Sequence, residues 1–478
     1  MNTENDDAEQ ARSTRVIAAL HEQLPAEAIA TDAAIAARHA TDWTGHCPTR
    51  PAAVISPRTT EHVATMLAIC HAHGQPVVPQ GGLSGLAGGA VPGNRSDIAL
   101  SLGAMDHIED IDTAAATITV QAGATLARVQ QAAEAADFRF PLDFAARDRC
   151  QIGGLIATNA GGVSVVRHGT MRAQVLGLEV VLADGRVLTD LKPMLKNNTG
   201  LDLKQCFIGS EGTLGVVTRA MLRLAPPKGT TTIALIATDA YADAIALLHT
   251  LGRGGLGLES FELMWRDFYA MSLAWHPERE APLAAHHGLY ILCEIEGPAA
   301  TARECIAKAC RDRGLTSWTI ADSAAAAERL WSIRYATAEF PQRLAPINFD
   351  ISLPIGDIGI FVEQSRAALE TEWPGLQAVY FGHIGDSNLH LTVDGQSLDE
   401  DTPATRHAIE DCVYALTARY GGSISAEHGI GLLKKPYLHY SVDTTARTLM
   451  TGAKGWLDPK GILNPGKVID RLDSGVSS

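Results

Sequence analysis

Apolar and polar positions exchange in short blocks along this chain, and the blocks predict strands and helices in alternation. Thr117–Gln121 is predicted to be a strand, and Thr60–His73 is predicted to be a helix. Thr125 stands where an N-cap is expected before the next helical pattern. Residues 176–188 predict a β-hairpin, because Asp184-Gly185 supplies the residues that a tight turn prefers.

The pattern also predicts how the chain divides into domains. Residues 1–45 are rich in alanine and are expected to form a helical segment, and residues 46–225 are expected to form a first domain. Consecutive prolines at 226 and 227 end regular structure, so a second domain is expected over 226–425. Residues 426–478 become short and loop-rich again, and we expect them to return to the first domain.

Glycine clusters mark the first domain. Five glycines fall within residues 81–89, directly after the predicted strand Pro76–Val78. Loops of this kind bring backbone N–H groups close to an anion such as a pyrophosphate. Two further clusters, in 152–162 and 209–215, suit a large ligand that lies along a groove. By contrast, the G-x-G-x-x-G match at 252–257 follows a predicted helix and precedes a strand, which is the reverse of a dinucleotide site.

Histidines carry the strongest chemical signal. His383 and His390 lie seven residues apart across a Gly-Asp-Ser-Asn turn, and Glu427 directly precedes His428. Folded as a hairpin, the two histidines are expected to be cross-strand neighbours with side chains ~5 Å apart. Two imidazoles and a carboxylate can hold a divalent metal and leave positions open, with His428 beside the metal to move a proton.

Bulk properties exclude some classes of function. The 478 residues carry a formal net charge of −15, which disfavours binding to nucleic acid. The acidic N-terminus does not resemble a signal or transit peptide, and no apolar run approaches the ~20 residues of a membrane helix. Eight scattered cysteines without a Cys-x-x-Cys spacing are typical of a reducing compartment, so a cytoplasmic protein is expected.

Taken in order, these motifs resemble the vanillyl-alcohol-oxidase-type FAD family, in the branch of D-2-hydroxyglutarate and D-lactate dehydrogenases. The resemblance runs from about Thr41 to Val468. The motifs that carry it are Pro79-Gln-Gly-Gly82, Pro141-Leu-Asp143, Thr158-Asn-Ala-Gly-Gly162, Gly209-Ser-Glu-Gly212, Gly382-His-Ile-Gly-Asp386 and Ala426-Glu-His-Gly429.

The resemblance implies an α+β protein that binds FAD and a divalent metal. Its fold would be a two-subdomain FAD-binding module of the PCMH type, followed by an α+β substrate cap with an antiparallel sheet covered by helices. His383, His390 and Glu427 match the family's metal ligands, which are usually assigned to zinc. His428 matches the catalytic base, and Arg334 matches the catalytic-site arginine that grips a substrate carboxylate.

The resemblance also implies the residues around each ligand. Arg334, Asn348, Asn388 and Thr392 are expected to bind the substrate. Ala338 and Asn348 stand where dicarboxylate-specific relatives tend to have Thr and Lys, which should weaken the grip on a second carboxylate. The expected FAD-binding residues are Pro79, Gln80, Gly81, Gly82, Leu83, Ser84, Gly85, Gly88, Gly89, Leu142, Gly153, Gly154, Thr158, Asn159, Gly161, Gly162, Gly169, Glu211, Gly215, Val217 and Asn464.

The implied reaction is oxidation of a D-2-hydroxy acid, such as D-2-hydroxyglutarate or D-lactate, to the 2-keto acid. His428 would remove a proton with help from the metal, and hydride would pass to flavin N5. The electron acceptor would be an electron-transfer flavoprotein, a quinone or a cytochrome, and a homodimer is an assembly the sequence allows. A flavin oxidase that reduces oxygen and a flavin-free metal-dependent hydrolase are the alternatives.

Overall fold

The computed structural model of the chain describes residues 3–278 and 280–471. Its helices, in chain order, are α1 (Thr3–Gln23), α2 (Thr60–His73), α3 (Leu126–Ala135), α4 (Ile152–Thr158), α5 (Val165–His168), α6 (Met171–Gln174), α7 (Tyr241–Gly252), α8 (Arg266–Ala274), α9 (Ala299–Asp312), α10 (Ala324–Arg334), α11 (Phe340–Arg343), α12 (Ile358–Glu372), α13 (Pro403–Arg419) and α14 (Thr444–Leu457). Its strands are β1 (Ile29–Thr31), β2 (Ala53–Ile55), β3 (Val77–Gln80), β4 (Ile98–Ser101), β5 (Ile108–Asp112), β6 (Thr117–Gln121), β7 (Val175–Val181), β8 (Val187–Asp190), β9 (Val216–Arg223), β10 (Thr231–Thr238), β11 (Gly257–Trp265), β12 (Leu289–Glu296), β13 (Trp318–Ile320), β14 (Pro346–Ser352), β15 (Ala378–Gly382) and β16 (Asn388–Asp394).

Local signals in the sequence explain several of these boundaries. The Thr59 side chain accepts a hydrogen bond from the His62 N–H and starts α2, which ends at Gly74 in a left-handed conformation with φ of 63°. Thr125 caps α3 in the same way by accepting from the Arg128 N–H, so its predicted role is confirmed. The predicted hairpin is also confirmed: β7 and β8 pair antiparallel, and Gly185 in the turn has φ of 88°.

The chain forms two compact units, which are described separately. Among the described residues, the first unit comprises 3–162, 169–227 and 427–471, and the second comprises 163–168, 228–278 and 280–426. The first unit is therefore built from three separate stretches of chain. Within the described residues, no helix combines the length and the apolar character that crossing a membrane requires.

The first unit contains two sheets around a shared core. A four-stranded sheet has the order β1-β2-β4-β3, and a five-stranded antiparallel sheet has the order β5-β6-β9-β7-β8. Leu67, Leu100, Val120 and Ile156 belong to one buried apolar cluster that includes residues of both sheets. The N-terminal stretch is not helical throughout: residues 29–31 leave the helical pattern and form β1, which pairs antiparallel with β2.

The second unit contains one seven-stranded sheet in the order β13-β10-β12-β11-β15-β16-β14. All of its recorded pairings are antiparallel. Strands β11 and β12 are buried along nearly their whole length, which is expected where both faces of a sheet are covered. Phe268 of α8 and Phe340 of α11 pack on Phe381 of β15, so helices cover the face that carries Phe381. The predicted antiparallel sheet with covering helices is confirmed.

Candidate active site

The first unit contains a cavity of about 350 Å³. The glycine-rich loop after β3, the first turns of α4 and the segment from Phe207 to Val217 line it, together with Glu427 and His428. Fifteen of the predicted FAD-binding residues line the cavity: Pro79, Gln80, Gly81, Gly82, Leu83, Ser84, Gly85, Gly89, Gly153, Gly154, Thr158, Gly161, Glu211, Gly215 and Val217. The structure therefore brings three separate stretches of sequence to one concave surface.

The other predicted FAD-binding residues lie outside that lining. Asn159 ends α4 with φ of 50°, and its side-chain oxygen accepts from the Thr170 hydroxyl and the Arg172 N–H. Leu142 is buried and accepts from the Gln130 side chain. Gly88, Gly162 and Gly169 all have positive φ, of 73°, 122° and 73°. Gly88, Asn159 and Gly162 directly precede or follow residues that line the cavity.

Close approach of two backbone segments explains why glycine is needed at position 82, in the glycine-rich loop after β3. A Cβ atom at Gly82 would overlap the carbonyl oxygen of Arg149, so any side chain there would force the two segments apart. Gly154 is different, because nothing lies within 4 Å of the position its Cβ would take. A side chain at Gly154, which lines the cavity, would therefore occupy open space.

Glu211 connects the cavity wall to the loop that carries Glu427 and His428. Its Oε1 accepts from the Ile430 N–H at 2.7 Å, and its Oε2 accepts from the Gly431 N–H at 2.8 Å. Burial raises the pKa of Glu211 to about 7, although both backbone hydrogen bonds and the Lys434 charge oppose the rise. The carboxyl group therefore holds the residues that follow His428.

Glycine geometry makes that loop irregular, as its sequence predicts. Gly429 has φ of 76°, and a Cβ there would approach the Glu211 carboxylate to 2.7 Å. Ahead of it, the Glu427 Oε1 accepts from the Gly162 N–H at 3.0 Å. Asn464, another predicted FAD-binding residue, donates from Nδ2 to the carbonyl oxygens of Gly89 and Glu211 at 2.9 Å each. Asn464 thus ties the C-terminal segment to two cavity loops.

The second unit places the histidine pair at the turn between β15 and β16. The predicted register is wrong: His390 pairs with Phe381, while His383 follows the end of β15 and precedes a 3-10 turn. The extra residues of that turn, with Ser387 at φ of 74°, shift the hairpin register. The two imidazole rings nevertheless lie 5.3 Å apart between centroids, close to the predicted separation.

Glu262 lies between His383 and Arg334. His383 Nδ1 lies 2.6 Å from Glu262 Oε1, and Arg334 Nε donates to Glu262 Oε2 at 2.8 Å. Burial alone would raise the pKa of Glu262, but the charges of His383 and Arg334 and their hydrogen bonds hold it below its ordinary value. Glu262 is fully buried in β11. The Arg334 guanidinium also lies over the Phe381 ring, 4.8 Å from its centroid.

Sequence reasoning did not identify Glu262. The signal was present, because Glu262 interrupts an apolar strand, and a buried charge needs a partner. Glu259 in the same strand gives the same signal, and it pairs with Arg167 of α5. The pattern alone does not distinguish these two glutamates, since their partners lie 72 and 92 residues away in sequence.

Polar residues line one face of β14 and β16. Asp350 pairs with His390, and Asp350 Oδ1 lies 3.9 Å from His390 Nδ1. Asn388 donates from Nδ2 to Asp350 Oδ1 and to the Ile351 carbonyl, both at 3.0 Å. Thr392 donates from its hydroxyl to Asn348 Oδ1 at 2.8 Å. The predicted substrate-binding residues of these strands therefore share one face with His390.

Comparison with known proteins shows which class of protein this fold and cavity define. The C-terminal domain of FAD linked oxidases matches residues 228–468, and the FAD binding domain matches residues 51–190. Among solved structures, p-cresol methylhydroxylase superposes with a TM-score of 0.75 at 16% identity, covering 98% of both chains. The 4-ethylphenol oxidase of Gulosibacter chungangensis gives 0.72 at 20% identity, covering 97% of this chain and 98% of its own. Both share the fold.

More similar relatives narrow the class. The D-2-hydroxyglutarate dehydrogenase of Xanthomonas citri pv. viticola is 37% identical over 466 residues, covering 96% of this chain and 98% of its own. The mitochondrial D-2-hydroxyglutarate dehydrogenase of Danio rerio is 38% identical, and the match covers 90% of this chain and 80% of the relative. The chain therefore belongs to the FAD-linked oxidase family, in the branch of the D-2-hydroxyglutarate dehydrogenases, and is an FAD-dependent oxidoreductase. The resemblance that the motifs carried is confirmed.

The first-unit cavity fits FAD by its chemistry. Several glycines line it, and glycine-rich loops allow backbone N–H groups to approach a diphosphate closely. Leu102, Phe144, Phe207 and Val216 add an apolar surface that suits a flat ring system. Because a side chain at Gly154 would enter open space, the loops leave room for a ligand. The apolar lining residues carried no distinctive signal in the sequence.

Proposed function

We propose that this enzyme oxidises a D-2-hydroxy acid to the corresponding 2-keto acid, with D-2-hydroxyglutarate, D-lactate or a related acid as substrate. The cluster of Arg334, Glu262 and His383 carries the proposal, because it combines a carboxylate-binding cation with an oriented imidazole. The names of the relatives support the same class of substrate. A further relative supports a 2-hydroxy acid substrate: the protein of Schizosaccharomyces pombe named putative D-lactate dehydrogenase, mitochondrial. It is 34% identical, and the match covers 90% of this chain and 84% of the relative.

Arg334 binds the substrate carboxylate in this proposal. Its Nε is engaged by Glu262, so the terminal Nη1 and Nη2 groups carry the donors for a bidentate pair. The buried position and the Phe381 ring keep water away from the guanidinium, which strengthens a pair with a carboxylate. Asn348, Asn388 and Thr392 contact the rest of the substrate from the neighbouring strands.

His383, His390 and Glu427 hold a divalent metal, expected to be zinc. The 5.3 Å between the two histidine rings supports this assignment. The position of the preceding residue supports Glu427 as the third ligand. The Ala426 N–H donates to the carbonyl oxygen of Asp350, and Asp350 is the strand partner of His390. Glu427 directly follows Ala426 in the chain, so it cannot lie far from that strand pair.

His428 accepts the proton of the substrate hydroxyl. A bound metal would supply a Lewis acid that lowers the pKa of that hydroxyl, and bound FAD would supply the hydride acceptor at N5. An imidazole is suited to this step because its pKa lies near neutral pH. The identity of the electron acceptor, a cytoplasmic location and a homodimer stay predictions.

A substrate panel tests the proposal. Purified enzyme is assayed with D- and L-2-hydroxy acids and an artificial dye acceptor, with and without a chelator. We expect turnover of D-acids only and loss of turnover with chelator. Equal rates with L-acids, or rates that resist complete metal removal, would contradict the substrate or the metal assignment respectively.

A second assay separates the dehydrogenase from the oxidase. Under air without dye, a dehydrogenase should produce little hydrogen peroxide relative to its dye-dependent rate. Peroxide formation at a rate equal to dye reduction would instead favour a flavin oxidase. The flavin-free hydrolase does not fit a chain with an FAD-binding domain.

A further inference from the structure

Glu262 touches two groups to which the proposed function gives different tasks. It is fully buried in β11, and its two carboxylate oxygens are divided between His383 and Arg334. We propose that Glu262 is a positioning residue that couples the metal-binding imidazole of His383 to the substrate-binding guanidinium of Arg334. The inference rests on the proposed function, since it assigns those tasks to the two partners.

The carboxylate sets the tautomer of His383. An ionised carboxylate only accepts hydrogen bonds, so the 2.6 Å contact requires that His383 Nδ1 carries the proton. When the ring loses its second proton to bind a metal, its lone pair then lies on Nε2, the nitrogen that a metal can bind. Carboxylates that accept from the second nitrogen of a metal-binding histidine fix its orientation and raise its basicity.

The same carboxylate sets the orientation of Arg334. The 2.8 Å bond from Nε fixes one edge of the planar guanidinium, and Phe381 lies against its face at 4.8 Å. Two contacts in different directions leave little freedom for rotation of the plane. The Nη edge is therefore presented in one direction, as a bidentate carboxylate site requires.

An amide at this position cannot perform both tasks. A glutamine has one acceptor oxygen and one donor NH2 group, whereas Arg334 Nε–H and His383 Nδ1–H are both donors. If the oxygen faces Arg334, the NH2 group faces His383 and favours the tautomer with the proton on Nε2. If the oxygen faces His383, the NH2 group opposes Arg334. Either orientation should impair one partner.

Glu262→Gln tests the coupling, with Glu259→Gln as a matched control. Glu259 lies in the same strand, is also buried, at 2% exposure, and pairs with a different arginine, Arg167, and a different histidine, His168. FAD-loaded enzyme is stripped of metal, and zinc affinity is measured by competition with a chromogenic chelator. We expect Glu262→Gln to bind zinc 10–100-fold more weakly and to have a higher KM, while Glu259→Gln stays within about threefold of wild type.

Histidine NMR of the FAD-loaded, metal-free protein gives a readout that does not depend on activity or metal. With 15N-labelled histidine, His383 of the wild type should carry its proton on Nδ1, and Glu262→Gln should shift the proton towards Nε2. A wild-type His383 protonated on Nε2 alone would overturn the inference even if the variant does not fold. Unchanged zinc affinity and KM in a folded Glu262→Gln would also overturn it.

The proposed function fails in a different way. If wild-type enzyme binds no zinc and turns over without metal, the metal assignment is wrong, whatever the tautomer of His383. If zinc binds to the wild type but Glu262→Gln and Glu259→Gln are indistinguishable, the function stands and the coupling is refuted.

Discussion

Each unit of this enzyme has a buried glutamate among its candidate site residues, and the two glutamates are held in opposite ways. Glu211 of the first unit accepts from two backbone N–H groups, and burial raises its pKa to about 7. Glu262 of the second unit accepts from charged or polarised side chains, which hold its pKa below the ordinary value. For Glu211, two backbone hydrogen bonds and the Lys434 charge do not offset the desolvation, whereas for Glu262 the charges and hydrogen bonds of His383 and Arg334 do.

The difference matches what each glutamate holds. Glu211 fixes a stretch of backbone, the loop after His428, and a carboxyl group near its pKa can still do that. Glu262 fixes two side chains whose charge and tautomer matter, and that task needs an ionised carboxylate. We therefore expect variants of the two units to fail differently, the first through loop geometry and proton transfer, the second through ligand binding.

The largest effect should come from His428, which lies on the loop that Glu211 holds. His428→Ala should lower kcat about 10²–10⁴-fold, because a positioned general base contributes on that scale. Steady-state assays would measure it, with flavin absorbance showing that FAD is retained. His439→Ala, an exposed histidine of the same unit, should stay within about twofold of wild type. A wild-type kcat in His428→Ala would contradict the assignment of His428 as the general base.

Arg334→Ala should impair substrate binding and also destabilise the second unit. Removing the arginine leaves Glu262 buried with one partner fewer, and breaking a buried ion pair costs about 3–5 kcal/mol. We expect a lower free energy of unfolding in denaturant and a higher KM together. Arg311→Ala breaks an exposed pair with Glu304 in the same unit and should change stability by less than about 1 kcal/mol. Equal stability losses in Arg334→Ala and Arg311→Ala would mean that the buried pair with Glu262 contributes no more to stability than an exposed pair.

The pH dependence of stability should reveal the raised pKa of Glu211. In the unfolded chain a glutamate loses its proton near 4.5, whereas folded Glu211 keeps it up to about 7. The folded state thus binds more protons between these values, so unfolding free energy should fall as pH rises through this window, by about 3 kcal/mol at most.

Glu211→Gln cannot titrate and should lack that fall. Melting temperatures of both proteins at pH 4.5, 6 and 8 would measure the difference between them. We expect the wild type to lose stability relative to the variant as pH rises, with little further change above pH 8. A constant difference at all three values would show that folding does not shift the pKa of Glu211.

The smallest effect should concern the substrate tail. Asn348 is exposed on β14, opposite Thr392, and carries no charge. Asn348→Lys should raise kcat/KM for D-2-hydroxyglutarate relative to D-lactate about three- to tenfold, because it adds a cation for a second carboxylate. Asn348→Gln, which adds length without charge, serves as the control. An unchanged ratio of the two kcat/KM values would show that the second carboxylate of the substrate does not bind near Asn348.

Local features of the fold were predictable from the sequence because they depend on neighbouring residues. The caps at Thr59 and Thr125 and the turn at Asp184-Gly185 each act within four residues. Strand β1 was missed, because an alanine-rich context hides a strand of three residues that pairs with β2. The register of the histidine hairpin was missed because a 3-10 turn replaces the short turn that was assumed.

For the candidate site, sequence motifs mark the residues predicted to bind ligands, but they do not mark the residues that orient them. His383, His390, Arg334 and the glycine loops belong to motifs with their own signature. Glu262 and the orienting contacts of Glu211 do not, since each acts on residues 72 or more positions away. Such contacts form only when distant strands and loops come together.

The short segment 163–168 has a consequence for how this enzyme can be taken apart. It belongs to the second unit, where Arg167 of α5 pairs with Glu259 and Glu296. It is nevertheless encoded some sixty residues before the rest of that unit begins at Lys228. A fragment expressed from 228 to 426, or a cap grafted onto another family member, would lack Arg167. It would carry Glu259, buried at 2% exposure, without its cation, so the exchangeable part of this enzyme is two pieces of sequence.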